Sequence, residues 1–222
     1  MANKKNYQKM LDQMLNDQDT YGKKLLLHSC CAPCSSYVLV YLSRCFEITV
    51  FYYNPNITEQ EEYQKRVAEQ KRLIEELNRE RENGEERFPI HVIEGYYEPE
   101  EFCRIAEGHE TDPEGGARCF ACYALRLQKT AETAVRHAFD YFTTTLTISP
   151  LKNADKLNEI GQKLGESYGV PYLVSDFKKK NGYLTSIELS KKYHLYRQDY
   201  CGCVYSKQER EKQKKARNEE ET

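Results

Sequence analysis

Apolar and polar positions along the chain switch repeatedly between a strand period and a helix period. A continuous apolar run from Lys23 to Ser29 (KKLLLHS) reads as a buried strand. Pro33 follows where a helix begins, with Val38, Leu39 and Leu42 spaced behind it on one face. Glu47 to Tyr53 (EITVFYY) predicts a second strand, closed by the Asn54-Pro55-Asn56 turn signal. Thr58 to Glu82 predicts a long helix, capped by Thr58, with Glu61 three residues on and charges alternating along its length. Pro89 to Glu94 is a third strand, followed by a helical stretch from Pro99 to Glu107, a polar loop (GHETDPEGGAR) and an amphipathic helix through CFACYALRLQKTAETAVRHA. Tyr141 to Leu146 predicts a β-branched strand, Ala154 to Tyr168 a helix, and Pro171 to Val174 a short strand. Residues 1–22 read as a polar helical extension ending in a Tyr-Gly break, residues 23–206 as one α/β catalytic domain, and residues 207–222 as a charged helical tail.

Strands alternating with helices predict an α/β fold, a mainly parallel sheet with flanking helices. Ligands of such sheets sit beyond the carboxyl ends of the strands. There the sequence places HSCCAPCSS, residues 28–36, with three cysteines in five positions.

Composition narrows the chemistry. With 39% hydrophobic and 31% charged residues the chain is that of an ordinary globular protein, and a net charge of −2 means that a nucleic-acid partner requires a local basic patch. Neither an apolar leader nor a membrane-length run is visible, so a cytoplasmic location is expected and no membrane partner. In that compartment nine cysteines point to metal or redox chemistry rather than a disulfide framework.

The cysteines form three groups. Cys30 and Cys31 cannot face one side of a regular strand, so they lie where the strand has ended, at a helix start that favours thiolate. Cys119 and Cys122, three apart on a helix, share a face and can reach one metal or cluster. Together the two pairs offer four thiolates, compatible with zinc or with an iron–sulfur cluster; the position at the working end of the sheet favours electron transfer. Cys201 and Cys203, separated by one glycine, form either a strained, labile disulfide or a further pair of zinc ligands. Cys45 and Cys103 are expected to be small hydrophobes.

The motifs CCAPC (30–34), YNPNI (53–57), EYQKR (62–66), EGGARCFACYALRL (114–127), TTTLTISPLKN (143–153), FKKKNGY (177–183) and YRQDYCGCVYS (196–206) follow one another in that order. The sequence so marked resembles the QueH family of epoxyqueuosine reductases. The resemblance implies a HUP-like (Rossmann-like) α/β fold, a four-iron–four-sulfur cluster on Cys30, Cys31, Cys119 and Cys122, and a redox-active disulfide of Cys201 and Cys203. It implies reduction of epoxyqueuosine to queuosine at the wobble position of tRNA, with an external electron donor that the sequence does not identify. Some family members have aspartate at the position of Cys34, which makes Cys34 a candidate ligand to one additional iron. Adenylating HUP relatives carry a Gly-rich phosphate loop after the first strand; HSCCAPCSS has no glycine, so ATP is not expected.

Tyr123, Asp199 and the hydroxyls of Thr143, Thr144 and Thr145 are candidate proton donors, which the sequence does not rank. Lys178, Lys179, Lys180, Lys191, Lys192 and Arg197, interleaved with Tyr183, Tyr193 and Tyr196, form the candidate RNA-binding patch. Arg66 and Arg118 could meet phosphate or substrate, or pair with helix carboxylates. The competing classes are a zinc-stabilised RNA-binding module without redox activity and a metal-free thiol oxidoreductase.

Overall fold

The computed structural model describes residues 5–220, with side chains through residue 218; residues 1–4, 221 and 222 of the two predicted terminal segments lie outside the described residues. Four strands, β1 (Lys23–His28), β2 (Phe46–Tyr52), β3 (Ile90–Glu94) and β4 (Tyr141–Thr144), make one sheet in the order β3-β2-β1-β4. Every pairing is parallel, and parallel neighbours must be joined by crossovers. The helix α2 (Ala32–Leu42) connects β1 to β2, and α3 (Gln60–Glu82) connects β2 to β3. Two helices, α4 (Pro99–Ala106) and α5 (Ala117–Arg136), lead from β3 to β4. Beyond the sheet follow α6 (Ala154–Tyr168), α7 (Gly182–Lys192) and α8 (Val204–Glu220), while α1 (Tyr7–Leu15) precedes it. This is the mainly parallel α/β sheet that the alternating pattern predicted, in the Rossmann-like arrangement that the resemblance implied.

Alternation along β1 explains the two-sided core. Leu25 and Leu27 pack on one face with Leu39 and Leu42 of α2 and Leu73 and Leu77 of α3. Leu26, pointing the other way, joins Leu127 and Ala131 of α5, Phe142 and Leu157 of α6. Helix α1 is stitched to the same body: Leu11 is fully buried, and Asp12 accepts from Tyr41 Oη at 3.0 Å and from Lys180 Nζ at 2.6 Å.

Five local expectations are corrected. Helix α3 begins at Gln60 with Glu59 at its N-cap position, one residue after Thr58, and the Thr58 N–H donates to the Gly202 carbonyl at 3.4 Å. Strand β4 stops at Thr144, whose hydroxyl accepts from Leu146 N–H at 3.1 Å and turns residues 145–148 into a 3-10 helix. The segment 171–174 makes a single parallel bridge, Tyr172 to Phe142, rather than a strand. Helix α7, which the apolar pattern did not separate from the last third, starts after Lys180 and Asn181 in left-handed conformation. Gly182 is required there, since a Cβ would lie 2.0 Å from the Phe177 carbonyl. The tail helix begins at Val204, three residues before Lys207. Among the described residues no helix is long and apolar enough to cross a membrane.

Candidate functional site

The end of β1 delivers the first cysteines. After His28 the chain leaves the sheet, Cys31 becomes the N-cap residue of α2, and Pro33 occupies its first turn, where a missing N–H costs nothing. The Sγ atoms of Cys30, Cys31 and Cys34 lie within 4.8 Å of one another, with Cys30 and Cys31 3.8 Å apart. Hydrogen bonds with Cys31 and Cys34 hold Cys30 well below its ordinary value. Bonding to Cys30 correspondingly raises Cys31, to about 12. Thr145 adds its hydroxyl, 3.6 Å from Cys30 Sγ.

Cys119 and Cys122 sit on the first turns of α5, the chain being brought there by the Gly115-Gly116 turn, whose Gly115 N–H donates to Cys119 Sγ at 3.3 Å. They lie outside the 4.8 Å trio and share a small cavity with Cys201, Cys203, Tyr123, Arg126 and Lys152. Burial pushes Cys122 up to about 12 and raises Cys119. A larger cleft, about 590 Å³, has Cys30, Cys31, Cys34 and Cys201 along it. Cys201 and Lys152 line both spaces, so the three cysteine groups of the sequence converge on one place at the carboxyl edge of the sheet.

The segment carrying Cys201 and Cys203 is clamped from β2's exit and α3. Arg66 Nη1 donates to the Cys201 carbonyl at 3.2 Å, Asn56 Nδ2 to the same oxygen at 3.4 Å. Gly202 takes φ +117°, and a Cβ there would meet Ile57 Cγ1 at 2.8 Å, so only glycine fits between the two cysteines. The two thiols differ. Lys152 Nζ lies 3.4 Å from Cys201 Sγ at the edge of the open cleft. Cys203 is buried, which raises it, and its sulfur is 3.4 Å from both the N–H and the hydroxyl of Ser206.

Two buried cations, unread in the sequence, organise the electrostatics. Arg126 is 1% exposed, donates to Asn54 Oδ1 at 2.5 Å and His28 Nε2 at 3.2 Å, and stands 4.0 Å from Cys122 Sγ. None of these partners is a carboxylate. Burial works against its charge, and the Cys122 and Cys30 sulfurs more than offset that, so its pKa is raised. Burial likewise pulls Lys152 down, but Cys201, Tyr123 and Glu114, 2.8 Å away, hold it well above its usual value. Arg126 lies in the CFACYALR helix, seven residues after Cys119 on the same face, a spacing that could have flagged it; Lys152 lay in SPLKN with no such signal.

The candidate proton donors separate by surroundings. Thr143 donates to the Leu173 carbonyl at 2.7 Å and Thr144 pairs with His28 Nδ1 at 2.8 Å. Asp199 is ion-paired to Lys214, which lowers its pKa. Tyr123 lines the small cavity, its buried hydroxyl unpartnered among the described residues and its pKa raised by burial.

The predicted basic patch is not one surface. Lys178 pairs with Asp176, Lys180 with Asp12 and Lys192 with Glu80; Lys178 to Lys180 line a groove beside α1 that meets the cysteine cleft at Lys152. Tyr193 is buried in the core, and Tyr196 lies under Lys65 and bonds Glu62. Tyr183 and Arg197 do face the cysteine cleft. Arg66 pairs with Glu62 at 2.7 Å, while the Arg118 guanidinium donates to the carbonyls of His109 and Glu110. Cys45 packs half-buried on the core, but Cys103 is exposed on α4 and is no packing residue.

Comparison with known proteins agrees with the motif pattern. The profile of the family described as "Epoxyqueuosine reductase QueH" matches residues 25–209. Relatives that bear that name include one from Staphylococcus epidermidis, 41% identical over 93% of this chain and 87% of its own length. Another, from Streptococcus pyogenes serotype M1, is 42% identical over 90% of this chain and 78% of its own length. A third, from Thermotoga maritima, is 33% identical over 84% of this chain and 91% of its own length. With the profile covering the sheet and all three cysteine groups, the chain belongs to the QueH family of epoxyqueuosine reductases.

Proposed function

We propose that this chain reduces the epoxide of epoxyqueuosine at the wobble position of tRNA to the cyclopentene of queuosine. In this reading Cys30, Cys31, Cys119 and Cys122 hold a four-iron–four-sulfur cluster, and Cys201 and Cys203 are a redox-active pair. The observation that carries it is Arg126, a buried cation with no carboxylate beside it and with the sulfurs of both predicted ligand pairs around it. An unpaired buried charge is costly, and thiolates bound to metal are the anions that fit. Bound there, the cluster supplies electrons one at a time and a Lewis-acidic iron.

The reaction breaks both C–O bonds of the epoxide, forms a C=C bond and releases the oxygen as water, consuming two electrons and two protons. Cys201 and Cys203 release two electrons and two protons on closing to a disulfide, which an external thiol or other reductant reopens. Cys201 is the thiol that meets that reductant, since it borders the open cleft, with the Lys152 ammonium 3.4 Å from its sulfur. Cys203, buried on Ser206, is its resolving partner. Tyr123 keeps its proton and lines the small cavity, which makes it the acid in position; Asp199, ionised against Lys214, is not.

Cys34 completes a trio that suits one further iron. The same spacing is what favours the second reading, a zinc module: a tetrahedral zinc with Zn–S about 2.3 Å sets sulfurs roughly 3.8 Å apart, the Cys30–Cys31 separation. A soluble cytoplasmic tRNA enzyme with no use for ATP is the whole-protein reading. Iron and acid-labile sulfide analysis of protein purified without oxygen tests the site. About four of each per chain with a broad band near ~400 nm, lost in Cys119→Ala, is expected. Zinc without sulfide, persisting after anaerobic reconstitution, leaves the zinc module.

A further inference from the structure

We propose that the cleft-facing side of α8 is a phosphate-binding rail for the RNA substrate. Arg210, Gln213, Lys214 and Arg217 recur at helical spacing and share one face, and that face lines the same cleft as Cys30, Cys31, Cys34 and Cys201. Glu209 and Glu211, the neighbouring acids of the helix, fall on other faces and line no part of it.

Charge in the cleft is unequal. Its two carboxylates are already paired, Glu114 with Lys152 at 2.8 Å and Asp199 with Lys214 at 2.6 Å. Arg197, Arg210 and Arg217 have no carboxylate partner among the described residues. Arg197 donates to Ser190 Oγ at 2.9 Å, and Arg210 to the Asp199 backbone carbonyl and Gln213 Oε1, each at 2.9 Å. The Lys214–Asp199 pair, with side chains 67% and 56% exposed, yields readily to a stronger anion.

Helix α8 is held near its base. Ser206 is buried against Cys203, the Tyr205 ring packs under Arg118 at 4.3 Å, and Lys207 pairs with Glu59. Residues 211–218 are exposed. A solvated helix of this length gains little from its own backbone, and among the described residues Asp199 is the one carboxylate paired with its cationic face. From Arg210 to Arg217 the stripe runs about 10 Å along the axis, too far for one small anion and suited to successive phosphates of a polynucleotide. The matched family region ends at residue 209, so the stripe from Arg210 onward lies past it.

The rail rests on the tRNA reading above, and the test separates the two. Binding of a synthetic anticodon stem–loop RNA is measured between about 50 and 200 mM salt for the wild-type chain, R210Q/R217Q, and the control K212Q/K215Q, which removes the same charge from the opposite side of α8. Unchanged circular dichroism and iron content establish that each variant is folded. The rail predicts that R210Q/R217Q lowers the slope of log Kd against log salt by roughly 1.4 to 1.8, while the control keeps the wild-type slope. Equal slopes and affinities for the two variants would overturn it. A wild-type chain that does not bind the stem–loop at all would instead overturn the tRNA reading itself, and the rail with it.

Discussion

Lys152 is the residue at which the parts of the site meet, 2.8 Å from Glu114 and 3.4 Å from Cys201 Sγ. Replacing it by methionine keeps most of the volume and removes the cation that Glu114 and the Cys201 sulfur face. Lys152→Met is expected to cost about 1–3 kcal/mol in urea unfolding, because it leaves the largely buried Glu114 carboxylate unpaired. An unchanged unfolding free energy would remove the ammonium from the account. Arg126→Met leaves Asn54 Oδ1 without its donor and takes the positive charge from beside Cys30 and Cys122. It should cost about 2–4 kcal/mol in stability and leave a protein that retains little iron after desalting; wild-type melting and wild-type iron would contradict this. The cysteines themselves were legible because thiols crowded at a strand end have few other uses. Arg126 shares a face with Cys119 and Cys122, but its burial against His28, 98 residues away, was not legible from the local pattern.

Among the elements, the turn between Cys201 and Cys203 is the one whose shape the chemistry requires. Gly202 at φ +117°, with Ile57 Cγ1 2.8 Å from where a Cβ would stand, makes Gly202→Ala both strained and crowded. The substitution is expected to cost roughly 1–3 kcal/mol in urea unfolding and to impair turnover, with circular dichroism unchanged. Full activity in that variant would show that the turn tolerates another geometry. Helix α3 braces the same segment: Glu69 accepts from Arg72 and from the Tyr196 N–H at 2.7 Å, and the Arg72 hydrogen bond is the main cause of its lowered pKa. A carboxyl depressed in the folded state stabilises above its unfolded value, about 4.3, and loses that contribution as pH falls through its folded value. Glu69→Gln should therefore flatten the fall in unfolding free energy with pH below about 4.3; identical slopes in the two proteins would exclude the brace. Local pattern located α2, α5 and α6 well, α6 to the residue. It placed the α3 cap at Thr58, one residue early, and read 171–174 as a strand where the backbone makes a single bridge to Phe142.

In the whole molecule, a four-stranded parallel sheet gathers cysteines from residues 30–34, 119–122 and 201–203 at one edge. That edge was foreseeable from the order of strands and helices, since such sheets present ligands at their carboxyl ends. Distribution of charge was not. The lysines of 178–180 looked like one patch with Lys191 and Lys192, yet folding sends them to a different groove and pairs two of them with Asp176 and Asp12. The tail, close to neutral as a string, shows a cationic side to the cleft only once wound into α8. The most direct test of the central claim is anaerobic incubation of the iron- and sulfide-reconstituted chain with tRNA carrying epoxyqueuosine and a chemical reductant, followed by nucleoside mass analysis. The account predicts that the modified nucleoside loses one oxygen atom, and that Cys119→Ala abolishes the change. An epoxide left intact by protein that holds its iron and sulfide would contradict it.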